Sequence, residues 1–66
     1  MTVQVNGASF VLEEGSTIAQ LLALRPASHP GYAVEVNQKL IPRRAHAEHV
    51  LQPGDTIEIV TLVGGG

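Results

Sequence analysis

Few side chains in this 66-residue chain have the chemistry of a reactive site, and their spacing excludes most of it. His46, Glu48 and His49 are the one cluster of metal-ligand type. Their run, HAEH, is not the HExxH spacing that sets two imidazoles on one helix face. With no cysteine in the chain, no fourth ligand presents itself either. Two histidines on a short polar turn read as solvated, and no metal site is expected. His29 sits in a Pro/Gly loop without a partner in the sequence. Glu13 and Glu14 are neighbours that point apart on an extended segment, so they make no acid/base pair. Just ahead of a helix, they favour its N-terminal dipole. Arg43 and Arg44 are too few for a nucleic-acid patch, but Arg43 suits an acidic surface on a protein partner. No GxGxxG, GxxxxGK or defensible Ser/His/Asp arrangement is present.

The run VTLVGGG is different: an apolar stretch leads straight into Gly64, Gly65 and Gly66. Glycine loses more conformational freedom on ordering than any other residue, so a triplet is costly unless something needs it. Extended, three glycines reach about 10 Å. Lacking Cβ atoms, they thread a channel too narrow for other residues. The α-carboxylate of Gly66 is then a group the protein can hand to an active site elsewhere. A carboxylate is a poor electrophile, so its use requires activation, typically as an acyl-adenylate made with ATP. The serines typical of a flexible linker are missing, which favours a working tail over a frayed end.

Length and composition point the same way. A chain of this size buries only about 60% of its unfolded surface, too thin a core for a deep catalytic cleft. A carrier, binding or regulatory module is expected rather than an enzyme. At 44% hydrophobic residues the chain is too apolar for disorder. Four Lys/Arg against six Asp/Glu give a net charge of −2, which argues against a non-specific nucleic-acid binder. The absence of cysteine suits an intracellular domain and excludes a mechanism using the protein's own thiol. The start, MTVQVNG, shows neither the basic nor the apolar region of a signal peptide. No run approaches the ~18 apolar residues of a membrane span. A cytoplasmic domain that binds neither membrane nor nucleic acid is the expectation.

The elements that must position the tail follow from patterning. Thr2 to Val5 alternates with period two, Asn6-Gly7 is a strong hairpin signal, and Ser9 to Leu12 reads as the returning strand. Ser16 or Thr17 caps a helix whose apolar stripe is Ile18, Leu21 and Leu22, and Arg25-Pro26 ends it. Tyr32 to Asn37 is a third strand, with Val34 and Val36 on one face. A turn at Gln38-Lys39 leads to a short extended piece at Leu40-Ile41. RRAHAEHVL allows one or two helical turns, and Gln52 to Asp55 is turn chemistry. Thr56 to Val63, long and β-branched, is the last strand and belongs at the sheet's centre beside the first.

One helix across a mixed sheet of four to five strands is an α+β, β-grasp arrangement. The domain spans 1–63, followed by a flexible glycine tail, 64–66. In the last strand Ile57, Ile59, Thr61 and Val63 face the helix. Thr56, Glu58, Val60 and Leu62 face the other way, where no second helix is available to cover them. Val60 and Leu62, exposed beside the tail, are expected to dock a partner.

With that pattern in place, VEVNQKLIPR in the middle, LQPGDTIEIV late and VGGG at the end resemble the ThiS family over essentially the whole chain. These are ubiquitin-like sulfur carriers of thiamine (thiazole) biosynthesis. The resemblance implies that an E1-like adenylating enzyme, ThiF, activates the carboxylate of Gly66 with ATP and magnesium, none of which this chain binds as a cofactor. Sulfur from a cysteine desulfurase or another donor then makes a thiocarboxylate, and a thiazole synthase, ThiG, accepts the sulfur. The family's diglycine maps onto Gly65 and Gly66, and Gly64 is an additional glycine. Val60, Leu62 and Arg43 are docking candidates on physical grounds, not residues of the motif. MoaD-like delivery to molybdopterin, or tRNA thiolation, shares the same tail chemistry. A ubiquitin-like modifier would instead join Gly66 to a target lysine.

Overall fold

In the computed structural model, which describes residues 1–62, the two halves of the chain each begin with a strand pair that only a tight turn can close. β1 (Thr2–Val5) and β2 (Ala8–Val11) are antiparallel and pair Val5 with Ala8. The two intervening residues, Asn6 and Gly7, both have positive φ, 49° and 83°. That is the geometry whose twist matches a two-residue hairpin. This closure starts β2 one residue earlier than Ser9, and Leu12 leaves the ladder to enter the core. β3 (Tyr32–Val36) and β4 (Lys39–Ile41) form the second hairpin, pairing Val36 with Lys39. Its turn is Asn37-Gln38, at φ 51° and 69°, rather than Gln38-Lys39. Asn37 therefore belongs to the turn. Its Oδ1 accepts from the N–H of Thr56 at 2.9 Å, and its Nδ2 donates to Asp55 Oδ1 at 2.9 Å.

α1 (Ile18–Leu24) starts at Thr17, which makes a reciprocal cap with Gln20. The N–H of Gln20 reaches Thr17 Oγ1 at 3.3 Å, and the N–H of Thr17 reaches Gln20 Oε1 at 2.8 Å. Ser16, the other capping candidate, is buried and donates to the carbonyl of Glu13 instead. The first helical N–H groups also need acceptors. Ile18 and Ala19 find them in the carbonyls of His49 and His46, on the segment after a 3-10 turn at Arg43–Ala45. Glu14 lies 3.9 Å from the N-terminal amine of Met1, and no acidic residue occupies the helix's first turn.

β5 (Thr56–Thr61) completes a five-stranded sheet in the order β2-β1-β5-β3-β4. It runs parallel to β1 and antiparallel to β3, in the central place its composition predicts. Ile57 and Ile59 point inward with Val3, Val5, Val34 and Val36. Together with Ile18 and Leu21 of α1, Leu12 and Leu51, they form one buried cluster. One helix on one face of a mixed sheet is the β-grasp architecture. The ladder of β5 stops at Thr61, and Val63 lies outside the described residues.

The histidine pair departs from expectation. His46 is buried, not solvated, and its Nε2 lies 3.1 Å from the carbonyl of Ile41. Because a carbonyl only accepts, Nε2 carries the proton in this contact. The helix N-terminus draws the His46 backbone inward, and the ring follows it beneath β4. Among the described residues, no three His, Cys, Asp or Glu side chains come together as a metal site. No helix there is long and apolar enough to cross a membrane.

Candidate functional site

The tail begins where β5 leaves the sheet, so the site is the frame around Thr61 and Leu62. Tyr32, the first residue of β3, pairs with Thr61. One step further, the N–H of Leu62 donates to the carbonyl of Gly31 at 2.6 Å. The N–H of Gly31 in turn donates to Nδ1 of His29 at 3.0 Å. Acceptance at Nδ1 puts the ring proton of a neutral His29 on Nε2.

Arg43 closes this frame from the other side. Its Nη2 donates to the carbonyls of Pro30, at 2.6 Å, and Tyr32, at 3.1 Å. Its guanidinium lies 4.1 Å from the centroid of the Tyr32 ring. Rigid planar donors of this kind suit two neighbouring carbonyls better than a lysine would. Thus Arg43, proposed for a partner's acidic surface, is already engaged inside the chain and fixes the loop against which β5 ends. Beside the frame, Leu22, the 26–30 loop and Tyr32 line an open cleft of about 270 Å³.

Upstream, Asn6 secures the same strand. Its Oδ1 accepts from the N–H of Ile59 at 2.7 Å, and its Nδ2 donates to the carbonyl of Ile59 at 3.2 Å. The backbone N–H of Asn6 also reaches the carbonyl of Ile57. The parallel β1–β5 ladder is short, with two register pairs, and Asn6 extends it by one step. Sequence reading assigned Asn6 only a turn. The second role depends on a partner 53 residues away and has no local signature.

The outward face of β5 is open. Val60 is 41% and Leu62 59% exposed, Ala33 is the cross-strand partner of Val60, and Leu40 is 65% exposed on β4. Val60 and Leu62 therefore lie together on a solvent-facing apolar surface that leads to the tail. Gly64, Gly65 and Gly66 lie outside the described residues. What is described is a strand whose backbone is pinned by Asn6, whose outer face carries Glu58 and the exposed Val60, and which ends beside a braced loop.

Comparison with known proteins agrees with this geometry. The model of the ThiS family matches residues 2–66. The sulfur carrier protein ThiS of Escherichia coli (strain K12) is 30% identical over 66 residues, covering both chains completely. A crystal structure of the thiamine biosynthesis protein ThiS from Geobacter metallireducens superposes with a TM-score of 0.85 at 30% identity, again over both full lengths. A thiazole synthase of Magnetococcus marinus is 35% identical across this whole chain, which spans 20% of that protein.

Proposed function

The chain belongs to the ThiS family, and on that premise we propose that it is a sulfur carrier of thiamine biosynthesis that works through the carboxylate of Gly66. The observation that carries this reading is the central strand β5. It runs from the core through a pinned exit at Leu62 toward Gly64, Gly65 and Gly66, and its outer face is left free for a partner. A strand buried on one side makes a rigid base, and glycines past it cross a narrow entrance. The chain is itself a co-substrate and not an enzyme.

In the proposed cycle a ThiF-like adenylating enzyme joins the carboxylate of Gly66 to the α-phosphorus of ATP, releasing pyrophosphate. Magnesium and ATP belong to that enzyme. The terminal sulfur of a persulfide on a sulfur donor, a cysteine desulfurase or another, displaces AMP to form an acyl disulfide. Two thiols of a reductant then become a disulfide as they cleave its S–S bond, leaving the thiocarboxylate and the donor's thiol. A ThiG-like thiazole synthase takes the sulfur. Val60 and Leu62 supply apolar docking area near the exit. The existence of a thiazole synthase that carries a segment like this chain supports that choice of acceptor.

The test is an intact-mass measurement after incubation with the adenylating enzyme, ATP, magnesium, a sulfur donor and a thiol reductant. Exchange of one oxygen for sulfur at Gly66 is the expected product. Conjugates to target lysines without that exchange would replace the carrier reading with a protein modifier. Transfer of the sulfur to molybdopterin or tRNA, with none to thiazole, would overturn the assignment to thiamine.

A further inference from the structure

The open face holds an arrangement that folding alone does not favour. Glu35 of β3 and Glu58 of β5 are direct cross-strand partners. Side chains so placed have Cβ atoms about 4.5–5.5 Å apart, and like charges there destabilise the pair. The other register partner of Glu35 is Leu40, and neither carboxylate takes part in an ion pair among the described residues. Around them lie Ala33 and Val60, opposite each other, with the exposed Leu40 opposite Glu35.

Resting on the carrier reading above, we propose that this face docks the thiazole synthase through a cationic side chain seated between Glu35 and Glu58 and collared by Ala33, Leu40 and Val60. Charge selects the occupant. A second copy of the chain would set carboxylates against carboxylates, and an anionic membrane or nucleic acid would be repelled. A basic protein surface relieves the repulsion, and a guanidinium, with its planar fork of donors, spans two carboxylates well. The synthase is favoured because in the Magnetococcus marinus protein a segment matching this entire chain shares one polypeptide with a thiazole synthase. Such linkage keeps a surface of modest intrinsic affinity engaged.

The experiment compares the wild type with Glu35→Gln, Glu58→Gln and the double variant, which keep shape and remove charge. Affinity for the thiazole synthase encoded in the same genome is measured by calorimetry at low and high salt, alongside melting temperature and thiocarboxylate formation. The double variant should melt no lower than wild type, bind the synthase at least roughly tenfold more weakly at low salt, and lose most of the salt dependence. Thiocarboxylate formation should be unchanged. Equal affinity with an unchanged salt slope overturns the proposal, as does a lowered melting temperature, which would make the carboxylates structural. A loss confined to the adenylating enzyme overturns the choice of occupant. A wild-type chain that forms the thiocarboxylate but binds no synthase at any salt sinks the assignment to thiazole synthesis, and one that forms no thiocarboxylate sinks the carrier reading itself, results distinct from all of these.

Discussion

Asn6 grips one residue of the central strand from both ends, accepting from the N–H of Ile59 at 2.7 Å and donating to its carbonyl at 3.2 Å. The contact is partly buried and ties a hairpin turn to the strand that carries the tail. Asn6→Gly retains the positive φ the turn needs and removes both bonds. Leaving the two Ile59 groups unpaired should cost about 1–3 kcal/mol in urea unfolding. Asn6→Asp keeps the acceptor and loses the donor, so its loss should fall between wild type and Asn6→Gly. Equal stability for all three would show that water replaces the amide at no cost.

Arg43 braces the exit through two carbonyls and an aromatic face. The side chain is exposed, which limits each contribution. Arg43→Ala should lower stability by about 1–2 kcal/mol. Arg43→Lys, without the planar fork, should recover less than half of that. Amide exchange at Leu62 reports the local effect. Its N–H, bonded to Gly31, should exchange faster in Arg43→Ala even where global unfolding is corrected for. Unchanged exchange at Leu62 would separate Arg43 from the exit.

What patterning revealed was whatever periodicity encodes. Alternation in β1, β3 and β5, and the Ile18/Leu21 stripe, place the core residues correctly, and the apolar content of β5 places it centrally. The contacts of single polar side chains stayed hidden. His46 looked solvated because it sits on a short segment with Arg43, Arg44 and Glu48, yet its carbonyl accepts from the N–H of Ala19 at the helix N-terminus and its ring is buried. The intrachain contacts of Arg43 left no mark in the sequence because Pro30, whose carbonyl it bonds, precedes it by 13 residues. The second hairpin was displaced by one residue because Asn37 continues the alternation of β3, although it opens the turn at φ 51°, followed by Gln38 at φ 69°.

That same residue offers a stabilising change. A non-glycine side chain in the left-handed region costs roughly 1–2 kcal/mol, and glycine's extra unfolded-state entropy offsets part of the relief. Gln38 is exposed, and no hydrogen bond from its side chain holds the turn among the described residues. Gln38→Gly should therefore raise stability by up to about 1 kcal/mol, visible as a higher urea midpoint at unchanged slope. A fall in midpoint would mean that the Gln38 side chain contributes contacts exceeding its backbone strain.

Val60 tests whether the outer face works in partnership or only closes the sheet. Its partner across the ladder is Ala33, and its side chain is 41% exposed, so folding gains little from it. Val60→Thr keeps the β-branched shape that a strand prefers and adds a hydroxyl where a partner would need apolar contact. The folded chain should lose no more than about 0.5 kcal/mol, as for surface positions in general. Docking is a different matter, because an interface that buries the new hydroxyl without a hydrogen bond bears its desolvation. That predicts a loss of about 1–3 kcal/mol in binding to the adenylating enzyme or the synthase, roughly five- to 160-fold in Kd. The paired measurement, stability by denaturation and affinity by titration, distinguishes the roles. Affinity at the wild-type level with stability intact would remove Val60 from the docking surface, and equal losses in both would make it part of the fold.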